Sequence, residues 1–403
     1  LEFRRVLFRS DAYLADLNAW LEEIQALGMN VEPENGAVLD FAGRTAGKIF
    51  AGQENTVYSP ISLYVALGML TELTDGQTKQ QMMDLLSVSD SEELRQWTQT
   101  LWRQLYRDGK DSALWLGNAA FLNENMTFHK EPLDVLAKSY YASSYQVSMG
   151  SKAADEAIAA WLNEQTNDLL TEDTGAIKTK ERDLLRLYNT LYYKAAWQTE
   201  FFEGVTEQDI FTAADGTEQT CDFMHISIEG SPVALGEGYR RASLYLKDGG
   251  AMTFYLPDEG VTPEELLADE QTMDFLLSGG ESAESKYLIV NLSVPKFDIA
   301  SDMDLTASLK KMGITDVFDP SISDFSPMTD DTEAYLSQAR HAARVAIDEE
   351  GVTAAAYTAM MMCGAGAPPD EEVDFTLNRS FVFAITGTDG LPLFVGVVHQ
   401  PQV

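Results

Sequence analysis

The stretch EEGVTAAAYTAMMM, from Glu349 to Met362, decides how the C-terminal part of this chain is organised. Its alanines and methionines favour a helix, and the acidic residues before Gly351 suit a helix start. The sequence that follows, CGAGAPPDEEVDF, is rich in glycine, proline and acidic residues, so a helix would have to end within about four turns. Local propensity therefore leaves both a short surface helix and a loop open.

Composition limits the classes of protein and of partner. The chain has 403 residues with 45% hydrophobic content, enough to bury a large core as one domain or two smaller ones. Lys and Arg number 28 against 64 Asp and Glu, which gives a net charge of −36. Such a charge repels nucleic acid, anionic membranes and heparin-like polyanions, so we expect none of these as partners. No apolar run approaches the roughly twenty residues of a membrane-spanning helix.

The residues that usually carry chemistry are sparse. Cys221 and Cys363 are the two cysteines, and their spacing fits no metal motif and no disulfide framework, so we predict two free thiols. The four histidines lie in no metal-binding or nucleophile motif; they are His129, His225, His341 and His399. We therefore predict no catalytic residues, no metal site and no cofactor.

The first ten residues, LEFRRVLFRS, differ in character from the rest of the chain. They back-translate codon for codon into a sequence resembling a common sequencing-library adapter. We expect residues 1–10 to be an artefact, native sequence to start near Asp11, and residues 11–403 to form a single domain. A signal peptide cannot be judged from such a start.

The order of predicted elements indicates an α+β fold. Helical spacing dominates the first half, with Ser59 as an N-cap, Pro60 at the first helical position, and a helix over DEAIAAWLNEQTNDLL that ends at Leu170. Strand-like runs such as LYNTLYYKAAW and SKYLIVNLSVPKFDI dominate the second half. Hairpin signals at Asp248-Gly249-Gly250 and Asp389-Gly390 point to antiparallel sheets.

Several segments resemble the serpin family and follow in that family's order from about Phe41 to Pro401. NTVYSPIS is similar to the start of the second serpin helix, and LYNTLYYKAAWQTEF is similar to the serpin signature. VPKF, MGITDVF with DFSPM, ARHAARVAIDEEGVTAAA and FVFAI with PLFVGVV come after them. The resemblance implies the serpin fold: a large antiparallel sheet, further β-sheets, about eight to nine helices, and an exposed reactive-centre loop over residues 350–372.

The resemblance also answers the opening question, because in inhibitory serpins this segment is a loop that enters the central sheet as a strand after a protease cuts it. Strand side chains alternate between faces, so one alternate set must enter the core. Counted from Gly351 in the family's register, the inward set is uncharged: Val352, Ala354, Ala356, Thr358, Met360 and Met362. The resemblance assigns the hinge to Glu349, Glu350, Gly351, Val352, Thr353, Ala354, Ala355 and Ala356. This hinge is thus fit for insertion.

Two groups of supporting residues carry over from the resemblance. A polar cluster under the sheet centre, which parts to admit the strand, comprises Ser59, Ser62, Asn189 and His341. The region where insertion begins comprises Trp197, Lys296 and Glu349, with Lys296 and Glu349 expected to form an ion pair. Leu73 departs from the family, which usually has glycine there, and this leaves the local turn in question.

The bond attacked by the protease is predicted at Ala365–Gly366, fourteen residues beyond Gly351 in the count of many inhibitory serpins, while a count back from Val373 places it at or just after Gly366. An alanine before the bond suits a small pocket, so elastase-like or subtilisin-like serine proteases are the expected targets. Trypsin-like enzymes need a basic residue, and none lies between Gly351 and Val373. We expect a monomer that forms a covalent acyl complex with its target.

Other functional classes stay open at this point. A non-inhibitory serpin acting as a carrier, storage protein or chaperone would share the core motifs, and a cysteine-protease inhibitor would use the same trap on a thiol enzyme. A hydrolase is the remaining alternative. Strong acidity and the lack of disulfides fit a bacterial, extracellular inhibitor, with a cytoplasmic location as the alternative.

Overall fold

A computed structural model describes residues 36–50, 54–109, 112–170, 177–236, 238–268, 286–331, 333–352 and 371–401. The described residues contain eight α-helices and two short 3-10 turns. The helices are α1 Gly36–Ile49, α2 Pro60–Glu72, α3 Gly76–Leu86, α4 Ser91–Leu105, α5 Lys130–Ser139, α6 Lys152–Gln165, α7 Pro263–Ala268 and α8 Thr306–Lys311.

Sixteen strands complete the described fold. They are β1 Thr56–Tyr58, β2 Arg107–Asp108, β3 Ser112–Asn123, β4 Ser143–Val147, β5 Leu185–Ala196, β6 Glu207–Thr212, β7 Glu218–Gly236, β8 Tyr239–Tyr245, β9 Ala251–Pro257, β10 Lys286–Pro295, β11 Phe297–Asp304, β12 Arg340–Ile347, β13 Gly351–Val352, β14 Glu372–Thr376, β15 Phe381–Thr386 and β16 Pro392–Val398.

These strands form two sheets. A seven-stranded central sheet has the order β11-β12-β13-β5-β3-β2, with β4 added to β3. A nine-stranded assembly has the order β1-β16-β15-β9-β8-β7-β10-β14, with β6 added to β7. The predicted hairpins are confirmed, since β8 pairs antiparallel with β9 and β15 with β16. The α+β class with a large central sheet is therefore confirmed.

Helix α2 fills the space between the two sheets. Its N-cap Ser59 accepts a hydrogen bond from the backbone of Ser62, and Pro60 occupies the first turn, as the sequence predicted. Almost every residue of α2 is buried, because β5 of the central sheet lies on one side of it and β16 on the other. At its C-terminal end Leu73 adopts an ordinary right-handed conformation and is fully buried, so this position does not need glycine.

Helix α6 covers the outer face of the central sheet. Phe121 of β3 and Tyr188 of β5 pack against Trp161 of α6 in a cluster separate from the main core. The sequence pattern predicted a helix as far as Leu170, and this end is wrong, because α6 ends at Gln165. Two consecutive residues just beyond it, Asn167 and Asp168, have left-handed backbone angles of 50° and 61° in φ, which cannot continue a right-handed helix. No helix among the described residues has the length and hydropathy needed to span a membrane.

Candidate functional site

The central sheet is interrupted between β5 and β12. Both strands pair antiparallel with the two-residue strand β13 at one end, so β5 and β12 run parallel to each other with β13 between them. Beyond β13 no backbone pairing joins β5 to β12 in the described part of the chain. We call the space between β5 and β12 beyond β13 the groove.

The groove opens into a cavity of about 910 Å³. Protein interiors are close-packed, with few voids larger than a water molecule, so a cavity of this size is an unfilled part of the fold. Three leucines of β5 face it and stay only half-buried: Leu185, Leu187 and Leu191. The groove therefore leaves apolar surface that a further strand could cover.

The end of the groove at β13 is tightly bonded. Gly351 pairs with Ala196, and Val352 pairs with both Ala195 and Ile347. A Cβ atom on Gly351 would lie 2.4 Å from the carbonyl oxygen of Ala195, so only glycine fits between the two neighbouring strands. Val352 is buried.

The residues predicted for the start of insertion meet beside β13. The Trp197 indole is fully buried and donates a hydrogen bond of 2.8 Å to the backbone oxygen of Asp348. Lys296 Nζ lies 2.6 Å from Glu349 Oε1, so the expected ion pair is present. Thr206 Oγ1 donates to the same carboxylate oxygen at 2.8 Å. The turn into β13 is thus fixed by side chains from three other segments.

Two adjacent carboxyl groups in this turn have pKa values shifted in opposite directions. Burial raises the pKa of Asp348, although its carboxylate accepts backbone hydrogen bonds from Glu350 and Gly351. Burial also acts to raise the pKa of Glu349, but the hydrogen bonds from Lys296 and Thr206 outweigh it, and the net shift is downward. Glu349 is therefore held as the charged partner of Lys296.

The predicted polar cluster lies deeper in the groove, under its centre. The backbone N–H of Ser59 donates to His341 Nε2 at 3.1 Å, and the Ser62 hydroxyl donates to the amide oxygen of Asn189. His341 belongs to β12 and Asn189 to β5, so the cluster links both rims of the groove to the N-terminus of α2. The structure thus brings these four predicted residues together.

His341 is neutral in this arrangement. Because a backbone N–H can only donate, Nε2 must accept, which leaves the ring proton on Nδ1. Burial of the whole imidazole lowers its pKa from 6.5 to about 4. The ring therefore acts as a hydrogen-bond acceptor at neutral pH.

Sequence reasoning missed several members of both groups. Asn118 of β3 accepts a hydrogen bond of 2.7 Å from Asn189 and donates one of 2.7 Å to the backbone of Tyr140, so it extends the polar cluster across the sheet. Thr206 and Asp348 complete the turn beside β13. The sequence signal for Asn118 is an uncharged polar residue in the middle of a largely apolar strand.

The remaining predicted site residues lie outside the described residues. These are the hinge residues Thr353, Ala354, Ala355 and Ala356, and the predicted reactive bond between Ala365 and Gly366. Of the two predicted free thiols, Cys221 is free and buried, and Cys363 lies outside the described residues. Across the part of the chain that the structure describes, no group of three or more His, Cys, Asp or Glu side chains is arranged to hold a metal ion.

Comparison with known proteins places this geometry in a family. The family profile described as "Serpin (serine protease inhibitor)" matches residues 37–401. Serpin-ZX of Arabidopsis thaliana is 27% identical over 371 residues, covering 86% of this chain and 92% of the relative. Human antithrombin-III is 28% identical over 365 residues, covering 87% of this chain and 77% of the relative.

Solved structures agree with the sequence relatives. The native state of tengpin, a thermophilic serpin, superposes with a TM-score of 0.81 at 26% identity and covers 92% of this chain and 95% of its own. Thyroxine-binding globulin in complex with thyroxine, at 24% identity, has a TM-score of 0.77 with coverage of 91% and 99%, and shows likeness of fold alone. Serpins are in general protease inhibitors and not enzymes. The family match over nearly the whole described chain, together with the interrupted central sheet, shows that this protein belongs to the serpin family.

Proposed function

We propose that this protein inhibits serine endopeptidases as a suicide substrate, and that the residues after Val352 fill the groove once the loop is cut. The observation that carries the proposal is β13, because Val352 already pairs with both rims of the groove, and Gly351 with β5, in the register of a new strand. An added strand would supply the backbone partners that β5 and β12 lack there.

Continuing this register one residue at a time gives the neighbours of the inward set. Ala354 would lie between Val345 and Tyr193, and Ala356 between Ala343 and Leu191. The side chains of these four neighbours lie on the core-facing side of β5 and β12, which we call the inward row of each strand. A small side chain suits a position between them. The groove and the loop sequence are therefore complementary in size at these positions.

The next inward residue extends the agreement to polarity. Thr358 would lie between His341 and Asn189, which are the polar residues of the two inward rows beside the groove. Thr358 is itself the one polar member of the inward set. A threonine hydroxyl could donate to one neighbour and accept from the other. This match supports the register independently of residue size.

The chemistry of inhibition follows from the predicted reactive bond. The serine Oγ of the protease attacks the carbonyl carbon of Ala365, the bond to the nitrogen of Gly366 breaks, and the amine of Gly366 leaves with the proton taken up by the catalytic histidine. The loop is then an ester of the protease. Fourteen residues from Val352 to Ala365 span roughly 46 Å as a strand, so insertion would carry the protease to the opposite end of the molecule and stall hydrolysis of the ester.

Target specificity is tested with a panel of proteases. Pancreatic elastase and subtilisin should form an SDS-resistant complex with the protein, whereas trypsin should not, because the small side chain of Ala365 fits a shallow pocket and offers no positive charge. The matched variant Ala365→Arg should reverse this preference. Failure of every small-pocket serine protease to form a complex would contradict the proposed specificity.

A second candidate is a non-inhibitory carrier, storage protein or chaperone, since thyroxine-binding globulin shares the fold and binds thyroxine. The uncharged inward set favours inhibition, because a carrier has no need of a loop fit for insertion. A cysteine-protease inhibitor would use the same groove, and papain in the panel would reveal it as a thioester complex. We propose that the protein acts outside the cell as a monomer, and gel filtration and fractionation of the source cells would test both statements.

A further inference from the structure

Two buried polar side chains face each other where β15 begins and β16 ends. Phe381 pairs antiparallel with Val398, so the register continued by one residue places Ser380 opposite His399. Opposite residues of antiparallel strands have their side chains on the same face of the sheet, with Cβ atoms about 4.5–5.5 Å apart. Ser380 is 6% exposed and His399 is 4% exposed, and neither lines the cavity of the groove. The pair is therefore a separate polar site inside the other sheet.

The ring of His399 is held on one side by helix α7. Its Nε2 atom lies 2.7 Å from Glu264 Oε1. An ionised carboxylate can only accept, so the proton of a neutral imidazole is on Nε2 here and Nδ1 is left as an acceptor. The backbone is fixed as well, because Asn55 Oδ1 accepts from the N–H groups of His399 at 2.7 Å and of Gln400 at 3.0 Å. The acceptor atom Nδ1 is thus rigidly placed.

His399 Nδ1 and Ser380 Oγ are buried and have no hydrogen-bond partner among the described residues. Buried polar groups in proteins are nearly always bonded, either to protein or to ordered water, because an unbonded one is costly. The ring nitrogen needs a donor, whereas the hydroxyl can both donate and accept. The partner of this pair must therefore donate to a ring nitrogen and bond a hydroxyl at the same time.

A second histidine–serine pair in the chain is bonded directly and serves as a comparison. Ser293 of β10 lies opposite His225 of β7, and its Oγ is 2.9 Å from His225 Nδ1. The two pairs bring the same atom types together across antiparallel strands, but Ser380 and His399 face each other without meeting. A bridge between these two side chains therefore has to be small.

Water meets these requirements and a metal ion does not. A buried water molecule typically makes about three hydrogen bonds, and it can donate and accept in the same site. A metal ion would need more ligands, and no group of three or more His, Cys, Asp or Glu side chains is arranged for one in the described part of the chain. We propose that one buried water molecule bridges His399 Nδ1 and Ser380 Oγ. It completes a hydrogen-bonded chain from Glu264 through His399 to Ser380, which joins α7 to β15 and β16.

Nuclear magnetic resonance of the intact protein with 15N-labelled histidine tests the bridge. The chain has four histidines, so His399→Gln identifies the signal of His399 by its loss. Wild type should show the Nε2–H form of His399 and a nuclear Overhauser effect between its ring protons and a water molecule that exchanges slowly with solvent. In Ser380→Ala the water loses one of its partners, so this effect should be lost. The Nε2–H signal should remain, because Glu264 still accepts.

Ser293→Ala is the matched control, because its hydroxyl bonds His225 directly and needs no water. It should shift the ring signals of His225 and leave the water signal at His399 unchanged. A wild-type His399 without a bound water, or an unchanged water signal in Ser380→Ala, would overturn the proposal and leave the proposed function intact. If Ser380→Ala fails to fold, a crystal structure of the wild-type protein decides. A water peak between the two atoms supports the bridge, and an Oγ–Nδ1 separation of about 3 Å overturns it.

Discussion

The end of the groove beside β13 and the centre of the groove are built from the same pair of strands, β5 and β12, and differ in how these strands are joined. Beside β13, backbone pairing joins β5 and β12 through Gly351 and Val352, and the Lys296–Glu349 ion pair and the Trp197 indole fix the turn. At the centre no strand pairing joins the rims in the described part of the chain, and Asn189 and His341 instead bond to the N-terminus of α2.

Under the proposed function, this contrast is what a pairing reaction stopped partway would leave. Pairing at β13 sets the register for an added strand. Farther along the groove, half-buried leucines of β5 and the unpaired edges of β5 and β12 are left, and a strand in that register would cover them. Covering them would be favourable, because each fully buried methionine-sized side chain contributes about 1.5–3 kcal/mol and each ladder hydrogen bond contributes about 1 kcal/mol. The intact form is therefore expected to be kinetically trapped.

The largest effect should come from a charge on the inward row. In Ala354→Glu a carboxylate would have to be buried between Val345 and Tyr193 without a partner, which opposes insertion strongly. We expect inhibition of elastase to fall at least about 100-fold while cleavage of the loop continues, as measured by residual activity and SDS gels.

Thr353→Glu is the control for this variant, because residue 353 would lie on the outward row beside Lys194. It should retain inhibition within a few-fold. If both variants inhibit equally well, the register drawn from β13 is wrong.

Acidification should lower the free energy of unfolding through protonation of His341 at the centre of the groove. Its pKa in the fold is about 4 and its ordinary value is 6.5, so on acidification the unfolded chain takes up the proton first. The contribution of neutral His341 to the free energy of unfolding is therefore complete above pH 6.5. It is lost as the pH falls from 6.5 to about 4, by roughly 3 kcal/mol. Urea unfolding of the intact protein at a series of pH values measures this. In His341→Gln the free energy of unfolding should change less over this pH range. The same pH dependence in the variant and in the wild type would contradict the account.

The sequence predicted this contrast only in part. The N-cap followed from residue type and the ion-pair partners from resemblance to the family, whereas the inward set beyond Val352 stays a prediction. The end of α6 was placed wrongly at Leu170, because Asn167 and Asp168 fit a helical pattern until their left-handed angles are known. The hydrogen bond from Arg344 to the backbone oxygen of Leu169 could not be predicted, since it joins segments 175 residues apart and involves no side chain of Leu169.

At the bonded end, removal of the cation should cost a moderate amount of stability. Lys296→Met leaves the largely buried Glu349 carboxylate without its cation, and we expect a loss of about 2 kcal/mol in the free energy of unfolding at pH 7. The pKa of Glu349 is lowered in the fold, so the wild-type advantage should be present at neutral pH and disappear as the pH falls below the ordinary value of 4.5.

Lys130→Met serves as the comparison for this variant, because its ion pair with Asp134 lies on an exposed helix surface. Its effect should stay below about 0.5 kcal/mol. Equal losses in the two lysine variants would show that the pair beside β13 has no special role.

The smallest expected effect is on the free energy of unfolding, and it should differ between the intact and the cleaved protein. Thr358→Val removes a hydroxyl but keeps the shape of the side chain, and the inserted residue would lose hydrogen bonds to His341 or Asn189. We expect the cleaved protein to lose about 1 kcal/mol in urea unfolding and the intact protein to remain unchanged. Destabilisation of the intact form, or none of the cleaved form, would place Thr358 elsewhere.

Thermal unfolding before and after a cut in the loop tests the central claim most directly. A metalloprotease suits the cut, because it forms no acyl intermediate and cannot be trapped. If residues after Val352 fill the groove, the unfolding midpoint of the nicked protein should rise on the order of 20 °C. A nicked protein that melts at or below the temperature of the intact one would contradict the account, because severing the loop would then release no further pairing.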